Sequence, residues 1–211
     1  MNTKRTDPRV VRTRQLLRKA LIELMEERDY DSISVQDIAD RATVKRATFY
    51  LHFVDKPAFV QKLSDDLLEE LRAEIIVPFN EEGETFDFLS GEPHPSFVRL
   101  FHHISERFDL YRALLVRNRI PYFADGLLNV IHEFVARGID YAEPDDRNLS
   151  AAREVAVKYV ESAFLEVIVW WIRNLMPYSE EEIAGQLMRL SIRGPYREIP
   201  ARRRSDPPAT S

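Results

Sequence analysis

Residues 34–56 read SVQDIADRATVKRATFYLHFVDK, and the fold can be worked out from this stretch. Ser34 stands just before Val35, Ile38, Ala39 and Ala42, which recur at helical spacing and share one face. A serine there offers its hydroxyl to the unpaired N–H groups of a first turn, and Asp37 three residues on completes a capping-box-like S-x-x-D. Thr43 and Val44 leave room only for a very short break. A third helical pattern follows at once, Lys45 to about Phe53. Val44, Ala47, Phe49 and Phe53 give it an anchoring apolar side, and Lys45, Arg46, Thr48, Tyr50 and His52 a polar one.

Working outward, Leu17, Ala20, Leu21, Leu24 and Met25 fall at offsets that make one face of a longer helix upstream, from Val11 to a stop at Asp29-Tyr30-Asp31. A long helix followed by two short ones across a tight turn is the trihelical helix-turn-helix plan. Residues 1–10 read as a flexible basic arm and 11–56 as the helix-turn-helix domain. Asp55 caps a fourth helix with Pro57 in its first turn, where the missing N–H costs nothing. That helix ends before Pro78, so 57–78 is a connecting helix. Residues 79–96 form a loop rich in acid, Gly and Pro. Helical patterns resume over Phe97–Arg117, Pro121 to Ala136 or Gly138, Asn148–Leu175 and Ser179–Ile192, which makes 97–193 a second helical domain. Residues 194–211, with Arg202-Arg203-Arg204 among several prolines, read as a flexible tail. No strand-like alternation occurs, so the expected class is all-α.

Composition narrows the function. The 211 residues contain no Cys, which excludes disulfides, a cysteine nucleophile and thiolate metal sites. Hydrophobic residues make up 45% and charged residues 31%, enough for a core and against wholesale disorder. No Gly-rich phosphate loop, Ser-His-Asp set or H-E-x-x-H occurs, so neither an enzyme nor a cofactor is expected. His102 and Glu106 have metal-like spacing but lack a third ligand, so no metal is expected. The chain has no run of 18 apolar residues and no apolar signal segment, so the expectation is a cytoplasmic protein with no membrane partner. Charge is split: residues 1–62 hold 13 Lys and Arg against 9 Asp and Glu, while 63–211 hold 17 against 26. A basic front on an acidic body fits a polyanion contact at one end.

Residues 34–56 resemble the DNA-binding domain of the TetR family of bacterial transcriptional regulators. The likeness is carried by Asp37-Ile38-Ala39, Ala42-x-Val44, Thr48-Phe49-Tyr50-x-His52-Phe53 and Lys56 in the family's order and spacing. It implies that Lys45, Arg46 and Ala47 face bases, that Thr48, Tyr50 and Lys56 bind phosphates, that His52 lies near the DNA backbone, and that Ser34 and Gln36 touch phosphate. Thr43 departs from the usual Gly of the turn, and a β-branched residue disfavours positive φ. The stretch WWIRNLMPYSEEEIA at 170–184 resembles the C-terminal region of a subgroup with a W-W-x-x-N-x-x-P-x-S-x-E-E run.

The family resemblance implies a homodimeric repressor, less often an activator, that reads a near-palindromic double-stranded operator. Its last two helices pair with their mates, so Ala163, Val167, Trp170, Trp171, Ile183, Leu187 and Leu190 are the expected dimerisation residues. An apolar or aromatic small-molecule effector is expected in the rear domain, with Phe101, Phe108, Tyr111, Phe123, Phe134 and Tyr159 as candidate lining residues. The alternative is a DNA-binding regulator without such an effector, controlled by a protein partner.

Overall fold

The computed structural model describes residues 7–76 and 92–194, and every regular element among them is helical. The helices are α1 (Pro8–Glu27), α2 (Val35–Arg41), α3 (Arg46–Tyr50), α4 (Lys56–Ile75), α5 (Pro95–Glu106), α6 (Phe108–Tyr111), α7 (Pro121–Ala142), α8 (Arg153–Arg173) and α9 (Glu180–Arg193). A short 3₁₀ turn at Tyr30–Ser32 follows α1, and a π-helical segment, Arg112–Arg117, continues α6.

α1 starts at Pro8, inside the stretch expected to be a loose arm. Asp7 caps it by accepting the Arg9 N–H at 2.8 Å, and Pro8 fills the first turn. Its buried residues are Leu17, Ala20, Leu21, Leu24 and Met25, the face read from the sequence. α2 crosses beneath them and is fastened by Arg41, whose guanidinium donates to both Glu27 carboxylate oxygens at 2.9 and 2.7 Å. α3 is shorter than the Lys45–Phe53 helix expected. It stops at Tyr50, and the Phe53 ring turns back onto Phe59 of α4 with centroids 4.3 Å apart.

α4 ends at Ile75 with Arg72 carbonyl accepting from Ile76, and residues 77–78 of the expected connecting helix lie outside the described residues. So do most of the expected 79–96 loop, residues 1–6 of the arm and 195–211 of the tail. The loop's last residues are helical, since α5 begins at Pro95 with His94 as its cap. The helix expected from Phe97 to Arg117 is not continuous. Arg107 (φ −118, ψ 28) breaks it, and the last stretch widens to π geometry. α7 extends past Gly138 to Ala142, and α8 begins at Arg153 rather than Asn148.

In the rear half α7 packs on α4 and α8, and α5 packs on α4 and α9. The junction between α8 and α9 reverses through Leu175 (φ 58) and Met176 (φ 54), ahead of Pro177. Ser179 then caps α9 through a capping box with Glu182. The core runs unbroken from Leu17 and Phe49 at the front to Trp171 and Leu187 at the rear. Among the described residues no helix is long and apolar enough to cross a membrane.

Candidate nucleic-acid interface

The front of the molecule is α1 to α3 with the start of α4. Ser34 and Asp37 form the full capping box: Asp37 N–H donates to the Ser34 hydroxyl at 3.1 Å, and Ser34 N–H to the Asp37 carboxylate at 2.8 Å. The Ser34 hydroxyl also donates to Asp37 at 2.7 Å, and Arg28 lies 3.2 Å away. These hydrogen bonds, with the nearby guanidinium, hold the Asp37 carboxyl down at about 2. α2 closes in a Schellman turn. Thr43 N–H donates to Asp40 carbonyl at 3.0 Å, Val44 N–H to Ala39 carbonyl at 2.9 Å, and Thr43 takes φ 55. The left-handed geometry a Gly would occupy is therefore kept with Thr in place.

This turn sets the direction of α3. Phe49 is fully buried and anchors the helix, its ring 5.6 Å from those of Phe53 and Phe59. Burying such a side chain is worth about 1.5–3 kcal/mol. Around the buried Phe49, Ala47 and Tyr50 of α3 turn outward, and Arg46 at the helix start and the extended cap residue Lys45 are exposed as well. Arg46 and Tyr50 are one turn apart. The guanidinium donates to the Tyr50 hydroxyl at 3.2 Å and lies 5.6 Å from its ring centroid, so the two side chains are held together at the exposed face of α3. Thr48 is half-buried beside them. Gln36, on the exposed side of α2, donates to Asp40 at 2.7 Å.

His52 is half-buried on the turn after α3, and burial together with the charge of Arg14 lowers its pKa. Arg14 of α1 is thus a neighbour of His52, and the sequence pattern did not single it out. Lys56 does not stand in the open beside Tyr50. Its ammonium donates to the Tyr30 carbonyl at 2.7 Å and lies 4.0 Å over the Tyr30 ring, and burial lowers its pKa. Lys56 therefore buttresses the 3₁₀ turn.

The rear residues divide differently from the expectation. Trp171, Ile183 and Leu187 are buried in the protomer's own core. Trp171 packs edge-on against Phe101 at 5.2 Å and donates its indole N–H to Tyr178 carbonyl at 3.0 Å. Adjacent helical residues point about 100° apart, which is why Trp170 faces out when Trp171 faces in. Trp170 (43% exposed) and Leu190 (44%) are outward, with Ala163 and Val167 half-buried near them.

Of the expected effector residues, Phe101, Tyr111 and Phe123 are packed wholly in the interior, and Phe108 is half-buried under the Arg112 guanidinium. Phe134 and Tyr159 do share a cleft of about 610 Å³ between α7, α8 and α9, along with Phe97, Val155, Phe164, Met188 and Leu190. Its walls are predominantly apolar, with Arg193 at one end. Among the described residues no cluster of His, Asp and Glu could hold a metal ion.

Comparison with known proteins agrees with this geometry. Residues 17–63 match the family described as bacterial regulatory proteins, tetR family, and residues 91–193 match a transcriptional regulator C-terminal region. An uncharacterized HTH-type transcriptional regulator of Bacillus subtilis, YxbF, is 39% identical over 187 residues, 88% of this chain and 46% of that protein. The biofilm operon icaADBC negative regulator IcaR of Staphylococcus aureus is 27% identical over 141 residues, 67% of this chain and 66% of that protein. The chain thus spans about half the length of the first relative. The crystal structure of the Bacillus subtilis regulator FadR in complex with stearoyl-CoA superposes with a TM-score of 0.59 at 17% identity, covering 86% of this chain and 99% of that one. A front unit in which the capped α2 turns tightly into the Phe-anchored α3, and a rear unit that matches a regulator C-terminal region, place the chain in the TetR family of bacterial transcriptional regulators.

Proposed function

We propose that the protein is a homodimeric, sequence-specific DNA-binding repressor whose grip on its operator is released by an apolar small molecule. The observation that carries the DNA-binding part is α3: a helix locked from behind by Phe49 that offers Lys45, Arg46, Ala47 and Tyr50 to solvent on one side. Arg46 has the reach and the fork of donors to read a guanine edge in the major groove. Tyr50, Thr48, Ser34, Gln36 and Lys56 have hydroxyl, amide or ammonium donors suited to phosphate oxygens. Ala47 leaves α3 room to approach the base edges, and His52 adds a donor near the backbone. Two such heads held by a two-fold read a near-palindrome with half-sites about one helical turn apart.

The dimer reading rests on α8 and α9, where Val155, Tyr159, Trp170, Leu190 and Ile192 remain exposed as large apolar groups. Such groups on paired helices are the usual material of a self-complementary interface. The effector reading rests on the apolar cleft lined by Phe134 and Tyr159, which opens on the same face. IcaR is named as a negative regulator and FadR was solved with stearoyl-CoA, so repression and binding of an acyl-CoA each have a precedent in a similar protein.

The DNA reading is tested by measuring affinity for a selected operator and for random duplex, using Arg46→Ala and Tyr50→Phe. Arg46→Ala should lose more on the operator than on random DNA, because it removes a base contact. Tyr50→Phe should weaken both alike. Equal losses on both DNAs for Arg46→Ala would contradict the base-reading role. For the effector, a thermal-shift panel of fatty acids and acyl-CoA thioesters should raise Tm for the wild type but not for Ala156→Trp, whose indole would fill the cleft.

A further inference from the structure

Among the contacts between the front and rear units is one side-chain amide. Asn118 ends the π-helical segment of the rear unit, and its side chain makes three hydrogen bonds, two of them across the boundary. Its Oδ1 accepts the Tyr30 N–H at 2.7 Å, and its Nδ2 donates to Met25 carbonyl at 3.1 Å. The third, Nδ2 to Ala113 carbonyl at 3.0 Å, ties the same amide to the segment that carries it. Every hydrogen-bonding position of the head that Asn118 occupies is backbone, so the contact fixes the end of α1 and the 3₁₀ turn as rigid pieces. Tyr30 passes the connection on. Its N–H goes to Asn118 and its carbonyl takes the Lys56 ammonium at 2.7 Å. A continuous chain therefore runs from the rear unit through Asn118 and Tyr30 to Lys56 at the start of α4.

The surroundings hold Asn118 in place from both sides. Arg119 follows with φ 46, a left-handed conformation that a non-glycine residue adopts only when its neighbours enforce it. Glu26 of α1 binds Arg112 at 3.0 Å and Arg117 at 3.5 Å, clamping the π segment to the head on its other flank. π-helical turns of this kind recur at working parts of proteins. Beside this junction lies an open groove of about 680 Å³, bounded by Tyr30, Val60, Gln61, Asn118, Ile120 and Tyr122.

We propose that Asn118 is a positioning residue. It fixes the angle between reading head and rear unit, and so sets the spacing of half-sites that a dimer accepts. The proposal rests on the dimeric DNA-binding reading above. Without the three bonds the head keeps α3 and its base preference, but its angle to the rear unit is then held by the Glu26 ion pairs and the shared core, and is less sharply fixed. The expected signature is a loss of spacing discrimination with half-site sequence unchanged.

Selection of bound fragments from a library of random duplexes gives both quantities at once, using the full-length wild type, Asn118→Ala and Asn118→Asp. Asp keeps the acceptor for Tyr30 but cannot donate to the two carbonyls. The wild type should select one half-site sequence at one spacing. Both variants should select the same half-site at several spacings. A single wild-type spacing retained by both variants overturns the proposal while leaving the dimer reading intact. Wild-type fragments with no paired half-sites refute that reading and the proposal with it. Loss of helical circular dichroism in both variants would make Asn118 a residue of stability alone, and would also overturn it.

Discussion

Replacing Thr43 by Gly should stabilise the reading head. α2 ends on a residue held at φ 55, and both hydrogen bonds of the Schellman turn are formed, so the turn overrides the preference of the side chain. A non-glycine residue in a sparsely populated region costs about 1–3 kcal/mol, and a β-branched residue belongs in the upper part of that range because its γ atoms crowd the carbonyl. Glycine removes that cost but returns about 0.5–1 kcal/mol to the unfolded chain as backbone freedom. The Thr43 hydroxyl also donates to Ala42 carbonyl at 2.7 Å, a local bond worth about 0.5 kcal/mol net. The balance favours Gly by about 0.5–2 kcal/mol. At about 2–4 °C per kcal/mol for a chain of this size, Tm should rise by about 1–8 °C. Circular dichroism melts at a fixed protomer concentration measure it, since dimer stability depends on concentration. Thr43→Ala, which keeps a Cβ but loses the branch, should fall between the two. A Thr43→Gly melting point at or below that of the wild type would refute the strain argument.

Three further outcomes follow from the same contacts. Phe49→Ala removes the anchor of α3 and should cost about 3–5 kcal/mol, seen as an early-melting head and loss of DNA binding; a melt unchanged from the wild type would remove Phe49 from that role. Asp37, depressed to about 2 from an ordinary value of 3.8, should contribute stability that is present above pH 4 and lost as pH falls through 2. A carboxyl titration followed by NMR should give a midpoint near 2, and a midpoint near 4 would mean that the capping box is open in solution. Trp170→Glu places a charge on the exposed apolar face of α8 and should shift sedimentation from dimer to monomer; a dimer that survives it has its interface elsewhere.

Local features were legible in the sequence because their causes are local. The Ser34-x-x-Asp37 box, the Asp55 cap and the inward face of α1 each depend on residues within a few positions of one another. The awkward Thr43 could be foreseen from the same turn chemistry. Contacts that span the chain could not. Lys56 reads as an exposed cation, but its ammonium is taken up by the Tyr30 carbonyl 26 residues back. Asn118 gives no periodic signal, and its partners across the boundary stand 88 and 93 residues away. The aromatic residues of the rear show the same limit. Phe101, Phe123 and Phe134 have similar apolar neighbours in sequence, and only the packing of α5, α7 and α8 decides that Phe134 borders a cleft while the other two fill the core. Trp170 and Trp171 were separable in principle, since a helix sends neighbours to different faces, but which of the two faces in depends on where α5 lies.

Affinity for a selected operator against random competitor, across a salt series, is the sharpest test of sequence reading by α3. A complex that survives excess competitor is expected. Its log K should fall linearly with log salt, with a slope of about −0.9 for each phosphate neutralised. Binding that is equally weak on every duplex, or that does not depend on salt, would contradict that reading.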